Sequence, residues 1–201
     1  LPVKSAAPMR AVRVALSRKL KGVPPALIFD AAHRLKAAGL DWMGWELIYA
    51  NKPALKSIDV ATVEAMGQGM ASWQQTDGWG MILAGPAWLN GRVADDDVRR
   101  WARSKDMWWR RAALVATTGL NNKSRGGRGD AKRTLGIVEM LLDDREDMIV
   151  KAVSWALRML APWEPEAVRA FMDKHGDRVP ARARREVRNK LTTGYKNPKT
   201  R

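Results

Sequence analysis

The sequence predicts an all-α protein. Apolar residues recur three and four apart along most of the chain, the repeat of one helix face. Proline or glycine interrupts that pattern every dozen or so residues. No run alternates with period two for long enough to propose a strand. Helices of about 10–16 residues joined by short breaks pair up roughly every 30–40 residues, the range of HEAT-type repeats. Stacked helical hairpins and a compact bundle both satisfy that pattern.

The elements follow in order. A basic, amphipathic helix is predicted over 8–20, stopped by Gly22. Pro24 or Pro25 opens a second, to 38, with Gly39 as its stop. Asp41 caps a third, to about 51, and Asp59 caps a fourth that ends near Trp73. Thr76 or Asp77 caps a fifth, to 89. Asp95 and Asp96 precede a sixth, to 104, and Asp106 starts a seventh, to 118. Residues 121–129, rich in Asn, Gly, Arg and Lys, are expected to form one long flexible basic loop. Four further helices are predicted over 130–142, 145–160, from Pro162 or Pro165 to 174, and from Pro180 to 191. Residues 1–192 are expected to form a single domain, and 193–201 a basic flexible tail.

Composition narrows the chemistry. The 201 residues hold 36 Lys+Arg against 21 Asp+Glu, a net charge of +15. That balance suits a polyanionic partner. No cysteine is present, which excludes disulfides, thiolate metal sites and a thiol nucleophile. His33 and His175 are far apart and show no metal-ligand spacing, so no metal is expected. No apolar run approaches the roughly 18–20 residues of a membrane span. The opening residues lack the apolar core of a secretory signal, and the missing initiator Met fits a trimmed or partial chain. The expected place of work is the bacterial cytoplasm or nucleoid.

One stretch stands out against this basic background. Residues 72–79 carry a lone carboxylate, Asp77, between Trp73 and Trp79. In a helix, Trp73 and Asp77 share a face. The stretch is either an ordinary helix end with an Asp-Gly turn, or an acid set against an aromatic wall. Lys151, Trp155 and Arg158 form an i, i+4, i+7 row. They are either two cations flanking an indole on an open face, or a snorkelling pair covering a buried one. Trp42, Trp45, Trp88, Trp101 and Trp108 sit at helical spacings among aliphatics and read as core. Cations cluster in three runs: 99–111, 123–133 and 182–190. On a common face of stacked helices they would make a phosphate-binding groove whose affinity falls with salt.

Taken together, three segments resemble the AlkD family of DNA alkylation repair enzymes, built from HEAT-like repeats. Trp73-Gln-Gln-Thr-Asp77 is similar to the family's Trp-x-x-x-Asp. Trp101-Ala-Arg-Ser104-Lys-Asp-Met-Trp108-Trp-Arg-Arg111-Ala-Ala-Leu114 is similar to its W-x-x-S-x-x-x-W-x-x-R-A-A-L. Lys151-Ala-Val-Ser-Trp155-Ala-Leu-Arg158 is similar to its K-A-x-x-W-x-L-R, and Arg184-Arg185-Glu186 follows at a fitting distance. The likeness spans about residues 40–192.

The resemblance implies a right-handed α-α superhelix of stacked antiparallel helix pairs. It implies a monomeric glycosylase that needs no cofactor and removes cationic N3- or N7-alkylpurines from double-stranded DNA. By position, Asp77 would be the catalytic carboxylate. Trp73 and Trp155 would wall the lesion nucleotide's sugar, and Arg111 would hold a nearby phosphate. Lys151, Arg158, Arg103, Arg110, Arg125, Arg128, Arg184 and Arg185 would grip the DNA backbone. Two features depart from the family pattern. Gln74 stands where the family often has an acid, and the first helices look short, which implies fewer DNA contacts at that end.

Overall fold

Short polar side chains set where five of these helices begin. A computed structural model describes residues 6–198. Residues 1–5 of the expected domain and 199–201 of the expected tail lie outside the described residues. The helices are α1 (Ala6–Lys19), α2 (Pro25–Ala37), α3 (Asp41–Ala50), α4 (Lys52–Ser57), α5 (Val60–Gly67) and α6 (Trp73–Trp79). A π-helical stretch (Gly80–Ala84) runs directly into α7 (Gly85–Leu89). There follow α8 (Asp95–Ala102), α9 (Met107–Leu120), a 3-10 turn (Lys123–Arg125), α10 (Ala131–Met140), α11 (Asp147–Leu160), α12 (Pro165–His175) and α13 (Ala181–Thr193). No strand occurs among the described residues.

Asn51, Asp59, Ser72, Asp106 and Asp130 each accept a hydrogen bond from a backbone N–H in the first turn of α4, α5, α6, α9 and α10. Each satisfies a donor that the helix itself leaves unpaired. Asn51 thereby starts a helix, α4, in the stretch between the third and fourth expected helices that the sequence pattern leaves unassigned.

Two expectations about boundaries are corrected. The helix expected to run from Asp59 to Trp73 stops at Gly67. Gly69 then turns the chain with φ +80°, a conformation that glycine adopts without a Cβ clash. Ser72 starts the next helix, so Thr76 and Asp77 lie inside α6 and do not cap it. The loop at 121–129 is also not the free segment expected. Tyr49 Oη donates to the Ser124 carbonyl, Arg125 pairs with Glu46 at 3.0 Å, and Trp163 Nε1 donates to the Asn121 carbonyl at 2.8 Å. The Asn121 side chain accepts from the Asp130 amide at 3.0 Å and donates to Thr134 at 2.9 Å. Both ends and the middle of the loop are thus tied to the rest of the fold.

The core is organised around α9. Every residue from Arg111 to Leu120 is buried, and α9 packs against α6, the π-helical stretch, α7, α8, α10 and α11. Small residues permit this crowding. A Cβ on Gly85 would lie 2.9 Å from the Gly119 Cα, and one on Gly119 would lie 2.7 Å from the Gly85 Cα. The backbones of α7 and α9 therefore meet directly. α11 packs against both α9 and α13. Three helices that matter below, α6, α9 and α11, are joined through α9.

Candidate functional site

The site starts from the cap. Ser72 Oγ accepts from the Gln75 amide at 3.3 Å, and Gln75 Oε1 accepts from the Ala71 amide at 3.0 Å. This reciprocal pattern makes Trp73 the first residue of α6. The rotation of α6 is set from the other side. Trp79 is wholly buried, donates from Nε1 to the Val63 carbonyl at 2.9 Å, and meets Trp101 and Trp109 edge-on at 5.1 and 5.4 Å. Gly78 lies against the Trp45 ring, where a Cβ would come within 2.7 Å. With Trp79 and Gly78 turned inward, Trp73 is left half exposed, at 50%. Asp77 follows it by one turn on the same face.

Asp77 meets Arg111 of α9. Arg111 Nε donates to one carboxylate oxygen and Nη2 to the other, both at 2.8 Å. The Arg111 side chain is only 6% exposed and that of Asp77 16%. The third guanidinium nitrogen, Nη1, donates to the carbonyl of Met148 in the first turn of α11. One side chain thus ties three helices together. Burial pushes the Asp77 carboxyl above its ordinary value, and the two bonds and the charge of Arg111 oppose that rise without cancelling it.

The α11 side of the junction carries Trp155, seven residues and about 10 Å beyond Met148 along the same face. Trp155 is half-buried. Asp147, beside Met148, pairs with Lys151 at 2.5 Å and with Arg182 at 3.5 Å. Lys151 first, then Arg182 and Arg111, hold its carboxyl below the ordinary value. Behind Trp155, Ser154 Oγ donates to Glu186 of α13 at 2.6 Å, and Arg158 Nε donates to that hydroxyl at 3.1 Å. Arg182 and Lys196 also reach Glu186, at 3.2 and 3.3 Å. Burial pushes the Glu186 carboxyl up, but Ser154, Arg182 and Lys196 together bring it below the ordinary value.

A family model described as DNA alkylation repair enzyme matches residues 14–191. The chain belongs to that family. Neither the curated proteins nor the solved structures returned a match.

For a DNA alkylation repair enzyme the cations expected on DNA are of interest, and the structure sorts them. Arg110 donates to Asp144 at 2.7 Å and to the carbonyls of Ser104 and Lys105. Arg125 pairs with Glu46 and lies over the Tyr49 ring at 4.4 Å. Arg158 faces Ser154 and Glu186, and Lys151 pairs with Asp147. These four, expected on the DNA backbone, are engaged within the protein. Arg111, expected on a phosphate, is likewise turned onto Asp77. A guanidinium's planar fork matches two carboxylate oxygens, and a buried acid takes it ahead of solvent. Arg103, Arg128 and Arg185 are exposed, and Arg184 donates to the Gly176 carbonyl at 3.1 Å.

Sequence reasoning missed Ser72, the Met148 carbonyl, Asp147 and the Ser154–Glu186 bond. Ser72 had a signal: Ser72-x-x-Gln75 is a capping box. Glu186 had a weaker one, as a lone acid in an arginine-rich segment. No group of three or more His, Cys, Asp or Glu suited to a metal occurs among the described residues.

Proposed function

We propose that this alkylation repair enzyme is a DNA glycosylase that hydrolyses the N-glycosidic bond of N3- and N7-alkylpurines in duplex DNA. The observation that carries this reading is the three-helix junction at Asp77 and Arg111, with Trp73 exposed one turn before Asp77. In the proposed reaction, the bond between sugar C1′ and the purine nitrogen breaks. The electron pair goes to the base and neutralises its ring charge, so no acid is needed for the leaving group. The oxocarbenium-like sugar is stabilised by the Asp77 carboxylate, and water adds at C1′, losing its proton towards that carboxylate. Indole faces at Trp73 and Trp155 would contact the developing cation. Arg111 would keep Asp77 aimed and ionised until the sugar cation competes for it.

We further infer that the helices stack as a right-handed superhelix of antiparallel pairs acting as a monomer. Arg103, Arg128 and Arg185 would lie along the duplex backbone, while Arg184 is held by the Gly176 carbonyl. The test is release of 7-methylguanine from methylated duplex DNA by the wild type and by Asp77→Asn. The wild type should release base and the variant should lose nearly all release. Equal release by both would overturn the role of Asp77.

One observation favours a second reading, a DNA-binding protein that recognises duplex or lesion shape without excision. Arg111 already occupies both Asp77 oxygens. That reading expects salt-sensitive duplex binding with no base released from any alkylated substrate.

A further inference from the structure

A cleft of about 520 Å³ opens between α12 and α13. Its walls are two helix stripes. Arg184, Arg188, Leu191 and Thr192 recur at i, i+4, i+7 and i+8 on α13. Arg169, Met172, Asp173 and Gly176 recur at i, i+3, i+4 and i+7 along α12 and its end. The opposite face of α13, with Ala183, Glu186 and Val187, is buried against α11. The cleft is therefore separate from the face that braces the Asp77 junction.

Three arginines line this space against one acid, Asp173. The Arg188 guanidinium is exposed and has no partner among the described residues. Arg169 leans on Glu166 of its own helix at 3.4 Å, with both side chains largely exposed. Arg184 donates to the Gly176 carbonyl and lies 3.9 Å from the exposed Asp177 carboxylate. Met172 and Leu191 supply an apolar wall, each half-buried.

We propose that this cleft docks an acidic peptide segment of a partner protein, with an apolar side chain seated between Met172 and Leu191. The volume lies in the range of small-ligand sites and is far too small for a duplex. A backbone phosphate would gain from the guanidiniums, but it would gain nothing from Met172 and Leu191. A peptide that joins carboxylates to an apolar side chain uses both features, and the arginine excess steers its approach. None of Trp73, Asp77, Arg111 and Trp155 lines the cleft.

The probe is a fluorescein-labelled Asp-Asp-Asp-Leu-Phe peptide followed by polarisation, with Asp-Asp-Asp-Ser-Ser as its charge-matched control. The apolar residues should tighten binding at least about ten-fold over Asp-Asp-Asp-Ser-Ser, the worth of one buried aliphatic or aromatic side chain. Arg184→Glu with Arg188→Glu should weaken the first peptide about ten-fold or more. Arg34→Glu on α2, matching the charge change of Arg188→Glu alone, should leave it unchanged. Arg188→Glu alone, at an exposed side chain, carries the test if the double variant unfolds. Equal binding of the two peptides, or no saturation up to about 1 mM, overturns the proposal. So does displacement by undamaged duplex, together with an equal loss of duplex affinity in the double variant. That result would make the cleft a phosphate contact.

Discussion

Arg111 holds both carboxylate oxygens of Asp77 at 2.8 Å, across 34 positions of sequence, and its remaining nitrogen reaches the Met148 carbonyl. The pair is buried enough for the usual weakness of surface ion pairs not to apply. Removing one partner leaves the other charge in a poor solvent, which is the costly case.

Arg111→Ala should therefore be more than a lost contact. Both influences that oppose the rise of the Asp77 carboxyl disappear, so its pKa moves further up. If excision needs the carboxylate, the acid limb of its pH–rate profile should shift to higher pH. The variant should also lose about 3 kcal/mol in urea unfolding. An unmoved acid limb would show that Asp77 does not titrate in the reaction.

The pH dependence of stability has a definite sign at Asp77. Its folded-state pKa lies above the ordinary carboxylate value, so the native state holds the proton over a window where the unfolded chain has released it. Stability from this group falls as pH rises through that window. Asp77→Asn should remove that falling contribution, seen as a difference in slope when melting temperatures are compared across the acid range.

Glu186 should behave in the opposite way. Its carboxyl is held low, so its contribution is present above the ordinary value and is lost as pH falls through the lower, folded-state one. Glu186→Ala removes the acceptor of Ser154, one partner of Arg182, the partner of Lys196 and the nearby counter-charge of Arg158, and should cost about 3 kcal/mol. Glu186→Gln keeps the shape and an acceptor and should recover part of that loss. Thermal melts of the two variants, run beside the wild type, check the order.

Salt dependence separates bound from free arginines. Arg103→Ala, Arg128→Ala and Arg185→Ala should each reduce the slope of log affinity against log salt for duplex by about 1, with little change in stability. Arg110→Ala and Arg125→Ala should leave that slope nearly unchanged and lower the melting temperature, because their partners are Asp144 and Glu46. A reversed pattern would move the duplex onto the other set.

Local chemistry determined much of this protein. Pro25 at the start of α2 and Asp59, Asp106 and Asp130 at theirs were legible, because a cap acts within one turn of itself. The shared face of Trp73 and Asp77 was legible for the same reason, as four residues are one helical turn. The likeness to an alkylation repair family came from several such short patterns kept in order, and the family match over 14–191 bears it out. What only the tertiary structure decided is which charge meets which. Arg111 and the neighbouring Arg110 look alike in sequence, yet one holds Asp77 and the other Asp144. The basic loop after α9 looked free until Tyr49, Glu46 and Trp163 were placed around it. Side-chain pairing over 34 or more positions depends on how helices pack, and packing follows from volumes and small residues such as Gly85 and Gly119 acting across the whole core.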